Sequence, residues 1–495
     1  MESSFNIPQR QSLVGIVVMF TDTLQKLIRS LWPILLIWIF RLDDLNKLHI
    51  SLGAGVVVVL LGVVAYLRYY NFTFFLDEDN DEFVIKEGIL NKSRIAIPLE
   101  KIQQVNINQS LIQKIIGVHA LEVDTAGSSK KEVAIKAITH DLALALKKRL
   151  LESDKKVVSI ENTEDVANEK QGTFIQISFA SLLKTGITSN YARSFAVLLA
   201  FVLTVFQNVE QYLDDYSISQ YVTAEVLLQF IVFIIVGIII ITLLINLIRT
   251  ILKYFNYKIT QQQNSLLLSF GLLNTRNTII KPERVQMVGV RRNFFQRKID
   301  IQDVKIKQAS SSDSSSKEQQ KLAIEIPGCS ENEKDTLLKF ILGKIPERGV
   351  MLKPNIRKVI IQTLFFLIMP LSIFFTFSYL NISMLYDYGV YVPVYSLFVI
   401  LLIYFSYRNN RLFVNNDFII KQSGAWDIDN DFLAPHKIQA ISLKQYFWHK
   451  RANIGTVKLY TAGGELSFDL ADYTKLKELT NYWLYQVETT DKNWM

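Results

Sequence analysis

The chain has 495 residues, 50% of them hydrophobic and 20% charged, with a net charge of +8. Its charge falls below the roughly 25% usual in soluble domains, and an aromatic content of 12% excludes a disordered chain. The single cysteine, Cys329, excludes an internal disulfide framework and any cysteine-rich metal site.

The N-terminus is polar up to Gln11 and lacks the apolar core and small-residue cleavage site of a signal peptide. Ser12–Arg29 mixes apolar Leu13, Ile16, Val17, Phe20, Leu24 and Leu27 with polar Thr21, Asp22, Gln25 and Lys26, and reads as an interfacial amphipathic helix leading into the first span. A spanning helix needs roughly 20 residues, here sought as runs without Asp, Glu, Lys or Arg. Four runs meet or approach that length: Leu48–Leu67 (20 residues), Val226–Ile248 (23), Val359–Tyr386 (28) and Tyr388–Tyr407 (20). Ser194–Val209 has 16 and Ser30–Phe40 has 11. Ser30–Phe40 is read as a span because it pairs with Leu48–Leu67, and because Arg29 and Arg41 at its ends can snorkel to the interfaces. A re-entrant or interfacial segment is the alternative for residues 30–40. Phe174–Ile187 has the same mixed character ahead of the third run.

The six runs form three pairs, joined by Arg41–Lys47, Glu210–Glu225 and Asn381–Pro393. These connections hold only Arg41 and Lys47 of the 54 basic residues. The positive-inside rule then places both termini and all large loops in the cytoplasm. The expected location is a membrane, crossed several times.

A cytoplasmic segment follows each pair, and the three share a pattern. Glu100-Lys101-Ile102-Gln103, Glu283-Arg284-Val285-Gln286 and His436-Lys437-Ile438-Gln439 place a basic residue, a β-branched residue and glutamine in succession. Thirteen positions before the basic residue stand Gly88, Gly271 and Gly424. After it, at matched distances, stand Leu111, Phe294 and Phe447, then Lys114, Arg297 and Lys450, then Ala126, Ala309 and Ala462. One domain is therefore used three times. Period-two alternation, as in Ile95 and Ile97, predicts half-buried strands, and the glycines fit hairpin turns. His140–Glu152, Glu331–Lys344 and Ala471–Gln486 read as closing helices.

The pattern Phe83-x-x-x-x-Gly88, Ile97-Pro98-x-x-x-Ile102-Gln103 and Thr125-Ala126-Gly127 resembles the bacterial pleckstrin-homology (PH) domain of YdbS/YdbT-like membrane proteins. Over nearly its full length the chain looks like the three-domain, YdbT-like form. The resemblance implies an α+β membrane protein: six transmembrane helices in three hairpins, each followed by a cytosolic PH-like β-sandwich or barrel with a C-terminal helix. It brings no catalytic residues, and it implies a link to envelope stress or antimicrobial resistance. The second repeat departs most, with Gln308-Ala309-Ser310 in place of Thr-Ala-Gly and a low-complexity insert at Ser311–Lys317. The expected organisation is a helical hairpin at 1–70, a PH-like domain at 71–153, and a linker with membrane-entry helix at 154–190. A second hairpin (191–253) and domain (254–345) follow, then a third hairpin (346–407) and domain (408–495).

Five histidines show no metal-ligand spacing, and no phosphate-binding loop or serine elbow is present, so no enzyme activity and no cofactor are expected. Asp77–Glu82 and Asp427–Asp431 offer oxygen ligands but lack the glycine and distal glutamate of a calcium loop, and are expected as solvated hairpin turns. Arg291, Arg292, Arg297 and Lys298 surround Phe294 and Phe295, and Lys450 and Arg451 follow Tyr446-Phe447-Trp448 at the matching place. Beside a bilayer, such bases attract anionic headgroups by about 1 kcal/mol each. The opposing reading is a solvated basic edge. Lys101, Gln103, Arg284, Gln286, Lys437 and Gln439 are candidates for a shared groove, against a structural role in which the glutamines satisfy backbone groups.

These features point to a non-enzymatic scaffold or adaptor. Its expected partners are membrane lipids and a protein or a second copy of itself, not nucleic acid. The alternative is a transporter or lipid-handling protein using the helix bundle. The near absence of ionisable residues in the spans weighs against that alternative. Pro33, Pro370 and Pro393 are candidate helix bends, and the small residues Gly53, Ala54 and Gly55 a candidate helix contact.

Overall fold

A computed structural model describes residues 5–39, 47–89, 91–125, 133–152, 173–189, 194, 196–198, 200–201, 204, 224–262, 264–308, 323–380 and 387–490. The chain divides into two compact units, the first chiefly Met1–Gly172 with Leu267–Ile279, the second most of the remainder.

The first unit begins with β1 (Gln9–Arg10), α1 (Gly15–Ile39) and α2 (Lys47–Asn71). Strands β2 (Thr73–Asp77), β3 (Glu82–Glu87) and β4 (Ser93–Pro98) follow, then β5 (Ile102–Asn108), α3 (Leu111–Ile116), β6 (His119–Thr125), β7 (Val133–Ile138) and α4 (His140–Glu152). They make two antiparallel sheets, ordered β1-β2-β3-β4 and β5-β6-β7. Phe74, Phe83, Ile85, Leu121, Ile135 and Leu146 fill the core between the sheets and α4. Strand β1, which precedes α1, pairs with β2.

The second repeat runs β8 (Thr173–Gln176), α5 (Phe179–Thr188), α6 (Ala224–Tyr254), β9 (Lys258–Gln262), β10 (Ser265–Phe270), β11 (Arg276–Ile280), β12 (Val285–Arg292), α7 (Phe294–Ile299), β13 (Gln302–Gln308), β14 (Ile324–Cys329) and α8 (Glu331–Leu342). Most of the hairpin of β10 and β11 belongs to the first unit. The third repeat runs β15 (Val350–Leu352), α9 (Arg357–Tyr379), α10 (Val392–Asn409), β16 (Arg411–Val414), β17 (Ile419–Ser423), β18 (Ile428–Leu433), β19 (Ala440–Lys444), β20 (Ile454–Thr461), β21 (Gly464–Asp472) and α11 (Tyr473–Thr489). In the second unit, β14-β13-β12-β18-β17-β16-β15 form one seven-stranded sheet and β19-β20-β21 a three-stranded one.

The repeat predicted from sequence recurs in backbone detail. Gly88, Gly271 and Gly424 all have positive φ, +113°, +111° and +114°. At Gly424 a Cβ would stand 1.8 Å from the Asp427 carbonyl oxygen, so only glycine fits this turn. Each shared motif begins in a single 3-10 turn: Leu99–Lys101, Pro282–Arg284 and Pro435–Lys437. The next residue, Ile102, Val285 or Ile438, is buried.

Other expectations are revised. The second acidic run is not a turn. Asp427 precedes β18, and Asp429 and Asp431 lie within that strand. Residues 12–29 lead into the first hairpin helix as expected, but part of their face packs on the first domain rather than on a lipid interface. They enter α1, which is continuous to Ile39, with Val18 and Met19 buried against the first domain and the Ser12 N–H donating to the Ala137 carbonyl. In the second repeat α5 packs against α6, where a Cβ on Gly186 would lie 2.8 Å from Leu247 Cδ1. At Gly53 and Gly55 a Cβ would meet nothing within 4 Å, so no described residue packs on that face. Pro393 sits in the first turn of α10, where its missing N–H costs no helix bond. Before Pro370, α9 widens into a π turn over Leu364–Ile368.

Among the described residues, three helices are long and apolar enough to cross a membrane: Ile235–Tyr254, Arg357–Tyr379 and Gly389–Asn409. Gly55–Asn71 is a shorter apolar helix. Three spans are thus supported, where the sequence predicts six. Most of Ser194–Val209, the linker and the insert Ser311–Lys317 lie outside the described residues.

Candidate functional site

The motifs of the second and third repeats meet in the second unit, at the groove where their strands join. A cavity of about 760 Å³ opens there, lined by Glu283 and Gln286 from one motif and by His436 and Lys437 from the other. The Lys437 ammonium donates to the Glu283 carbonyl oxygen at 2.6 Å. Burial pushes the Lys437 pKa down, and the Glu283 charge opposes that shift. The cavity wall is completed by the Asp417 turn and by Lys344 beyond α8, which form an ion pair. Gln486 of α11 donates to the Asn416 carbonyl at 2.7 Å and fixes the same turn. The arrangement can hold a small polar group between a lysine, a glutamine and backbone carbonyls.

Of the six candidates for a shared groove, this cavity collects Gln286 and Lys437. Arg284 is half-buried and Lys101 exposed. Gln439 is exposed, and its backbone N–H donates to the Tyr460 carbonyl at 2.8 Å. The side chain of Gln103 lies outside the described residues. The cavity walls Asn416, Asp417 and Lys344 carry no signal in the sequence, because they are polar turn and helix-end residues far from either motif along the chain.

The basic candidates sort into two groups. Arg291 faces Asp429 at 3.2 Å and Asp427 at 3.8 Å, and Arg292 pairs with Asp300 and Glu331. Burial raises the Asp429 pKa, and Arg291 counteracts it. Arg297 donates to the Trp426 carbonyl at 3.1 Å and lies over the Phe294 ring. Lys298 belongs to the last turn of α7. Asn293 caps this helix reciprocally with Gln296, as Ser110 and Gln113 cap α3. In the third repeat the same place is a 3-10 helix, Phe447–Ala452, carrying Lys450 and Arg451. These three helical turns end on Gly117, Asp300 and Asn453, all left-handed. Phe295 is 46% exposed, Phe447 77% and Trp448 56%, so both later repeats present aromatic rings to solvent beside bases. Lys305 and Lys307 lie on β13, which is interior to its sheet, and Lys305 faces Glu325 at 3.8 Å.

Each domain is latched to the helix that leads into it. Tyr254, at the end of α6, donates to Glu325 Oε2 at 2.9 Å, and Tyr257 donates to the Glu325 carbonyl at 3.0 Å. Tyr407, near the end of α10, donates to the Pro354 carbonyl at 3.2 Å, and Asn409 to the Ala425 carbonyl at 3.0 Å. In the first unit Ala65 and Tyr69 of α2 are part of the core itself.

The apolar helices and the repeated two-sheet domain are matched by comparison with known proteins. The chain is similar to the UPF0699 transmembrane protein YdbT of Bacillus subtilis, with 22% identity over 91% of this chain and 92% of that protein. The family model described as "Bacterial PH domain" matches three times, at residues 33–154, 197–345 and 359–487. These matches cover most of the chain and coincide with the three repeats of its backbone: this is a membrane protein that belongs to the bacterial PH domain family.

Proposed function

We propose that the protein is a non-enzymatic scaffold of the bacterial cytoplasmic membrane, with six spans and with both termini and all three PH-like domains in the cytoplasm. The observation that carries this reading is the seven-stranded sheet of the second unit. It fuses the second and third repeats edge to edge while each remains hydrogen-bonded to its own helix. Such a sheet is a stiff platform for a partner, held at a fixed height above the bilayer. The distribution of basic residues supports the orientation. Purification in native membrane discs, followed by mass spectrometry of proteins and lipids, tests it. A stoichiometric protein partner is the expected result; recovery of neither a partner nor self-association would overturn the scaffold reading.

A second reading, contact with anionic headgroups, rests on the exposed rings Phe295, Phe447 and Trp448 beside Arg297, Lys298, Lys450 and Arg451. Arg291 and Arg292 contribute less, because nearby carboxylates already neutralise them. Lipid enrichment in the discs that is lost on changing Arg297, Lys298, Lys450 and Arg451 to Ala is the expected signature. Unchanged enrichment would remove this reading.

A further inference from the structure

Consecutive repeats meet in the same antiparallel register, as a ladder of strands in one case and as a single bridge in the other. In the second unit, β12 pairs antiparallel with β18 from Val288↔Phe432 to Arg292↔Ile428. Arg292 stands eight residues after Arg284, and Ile428 nine before Lys437. In the first unit, Gln109 and Thr275 form an antiparallel bridge, exchanging N–H···O bonds of 3.0 and 2.9 Å. Gln109 stands eight residues after Lys101, and Thr275 nine before Arg284. Two positions inward, the Asn277 side-chain amide donates to the Ile107 carbonyl at 3.3 Å, across the counterpart of the pair Val290↔Asn430. Each junction therefore places the strand after one motif against the strand before the next.

Three repeats joined in this way use two such pairings and leave one half of each kind. The leftover halves are β4, the strand before the first motif, and β19, the strand after the last. Among the described residues both are terminal strands: β4 ends the sheet β1-β2-β3-β4, and β19 begins the sheet β19-β20-β21. A terminal strand presents backbone donors and acceptors that template another strand.

We propose that β19 of one molecule pairs with β4 of a second copy in the register of the two internal junctions, so that molecules associate head to tail. Continuing the register sets Lys444 opposite Ser93, Ser442 opposite Ile95 and Ile441 opposite Ala96. The occupant is a second copy because this chain carries both halves of a pairing that it already makes twice. Half-buried Ile441 and Leu443 already pack on the third-domain core, and the added strand would cover their edge as β18 covers that of Val288 and Val290. A contact between unlike surfaces of identical chains closes into a ring or propagates as a filament. The inference deepens the scaffold reading by naming the partner, and it does not depend on headgroup binding.

The test is cysteine cross-linking of full-length chains in isolated membranes, in a Cys329→Ala background shown by thermal melting to fold. One tagged chain carries Ser93→Cys and a second, differently tagged chain carries Lys444→Cys. The bridge Gln109↔Thr275 exchanges both of its hydrogen bonds, so the adjacent Ser93/Lys444 pair falls at a non-hydrogen-bonded position. There the Cα atoms approach within the range that a disulfide bridges. Mild oxidation is expected to give a mixed, reductant-sensitive dimer about tenfold above that from Ser93→Cys with Leu443→Cys, which is out of register by one residue and points to the other face. Equal yields from the two pairs, or no mixed dimer, would overturn the proposal. So would a disulfide formed only within one chain carrying both Ser93→Cys and Lys444→Cys, which would mean that the array closes on itself. If cross-linking fails while the discs retain a foreign protein partner, the scaffold reading survives and self-association falls.

Discussion

The junction between the second and third repeats is a ladder of five residue pairs, whereas the junction between the first and second is a single bridge supported by side chains. The register is the same, and the difference lies in what the strands carry. Next to the ladder, Met287 joins the third-repeat core that contains Leu433, so the two domains share apolar packing as well as backbone bonds. In the first junction, Asn277 spends its amide on the Ile107 carbonyl and accepts from Ser269 at 2.7 Å. The Asn274 carboxamide oxygen accepts from the Leu111 N–H at 3.2 Å. An apolar residue at the seam accompanies a continuous sheet, whereas polar residues accompany a single bridge, because buried apolar area adds to every backbone bond and an amide adds only its own hydrogen bonds.

The largest way to break the stronger junction is at the turn that delivers β18. Gly424→Val puts a Cβ on the Asp427 carbonyl at a φ that L-residues avoid, and is expected to cost about 3 kcal/mol or more. Thermal melting in detergent, with proteolysis mapped to the third repeat, reads the loss. Met287→Ala is expected to cost about 2–4 kcal/mol, by leaving a cavity in the third-repeat core. A loss below about 0.5 kcal/mol would show that the ladder stands without shared packing.

Smaller changes sharpen the comparison. Asn277→Ala is expected to weaken the first junction by about 0.5–1.5 kcal/mol, the net worth of its hydrogen bonds. Faster hydrogen exchange at the Gln109 and Thr275 amides is the readout, with β12 unaffected. Arg291→Gln removes a partly exposed ion pair with Asp429 from the ladder and should cost about 1 kcal/mol, less at high salt.

The smallest expected effect is a pH dependence in the first unit. Burial, then the neighbouring His140 ring at 4.8 Å, lowers the His119 pKa below 6.5. The unfolded chain therefore takes up the proton first as pH falls below about 6.5, and stability declines between that value and the lower folded pKa. His119→Gln should flatten this part of the melting-temperature profile; an unchanged profile would assign the dependence to other groups.

Much of the domain was legible because it repeats. The glycines thirteen residues before each motif share one left-handed turn, and the α4 boundaries, His140–Glu152, agree with those read from periodicity. Three features were not legible. Strands β1, β8 and β15 have two to four residues, too few to show a period. Strand β18 reads as an acidic turn because its alternating Asp429 and Asp431 look solvated, although Asp429 is held by Arg291 across the seam. The amphipathic lead-in at residues 12–29 has a composition suited equally to a lipid interface or a domain surface, and the domain takes only Val18 and Met19 of it while Leu13, Val14 and Val17 stay exposed.

Sequence alone determined the membrane character, the threefold repetition and the family fold, because hydropathy, turn glycines and motif spacing are local properties written in side chains. Only the tertiary structure decided which domain edges join and in what register. Those contacts are made by backbone amides and carbonyls, which every residue carries alike and which leave no mark in the order of side chains.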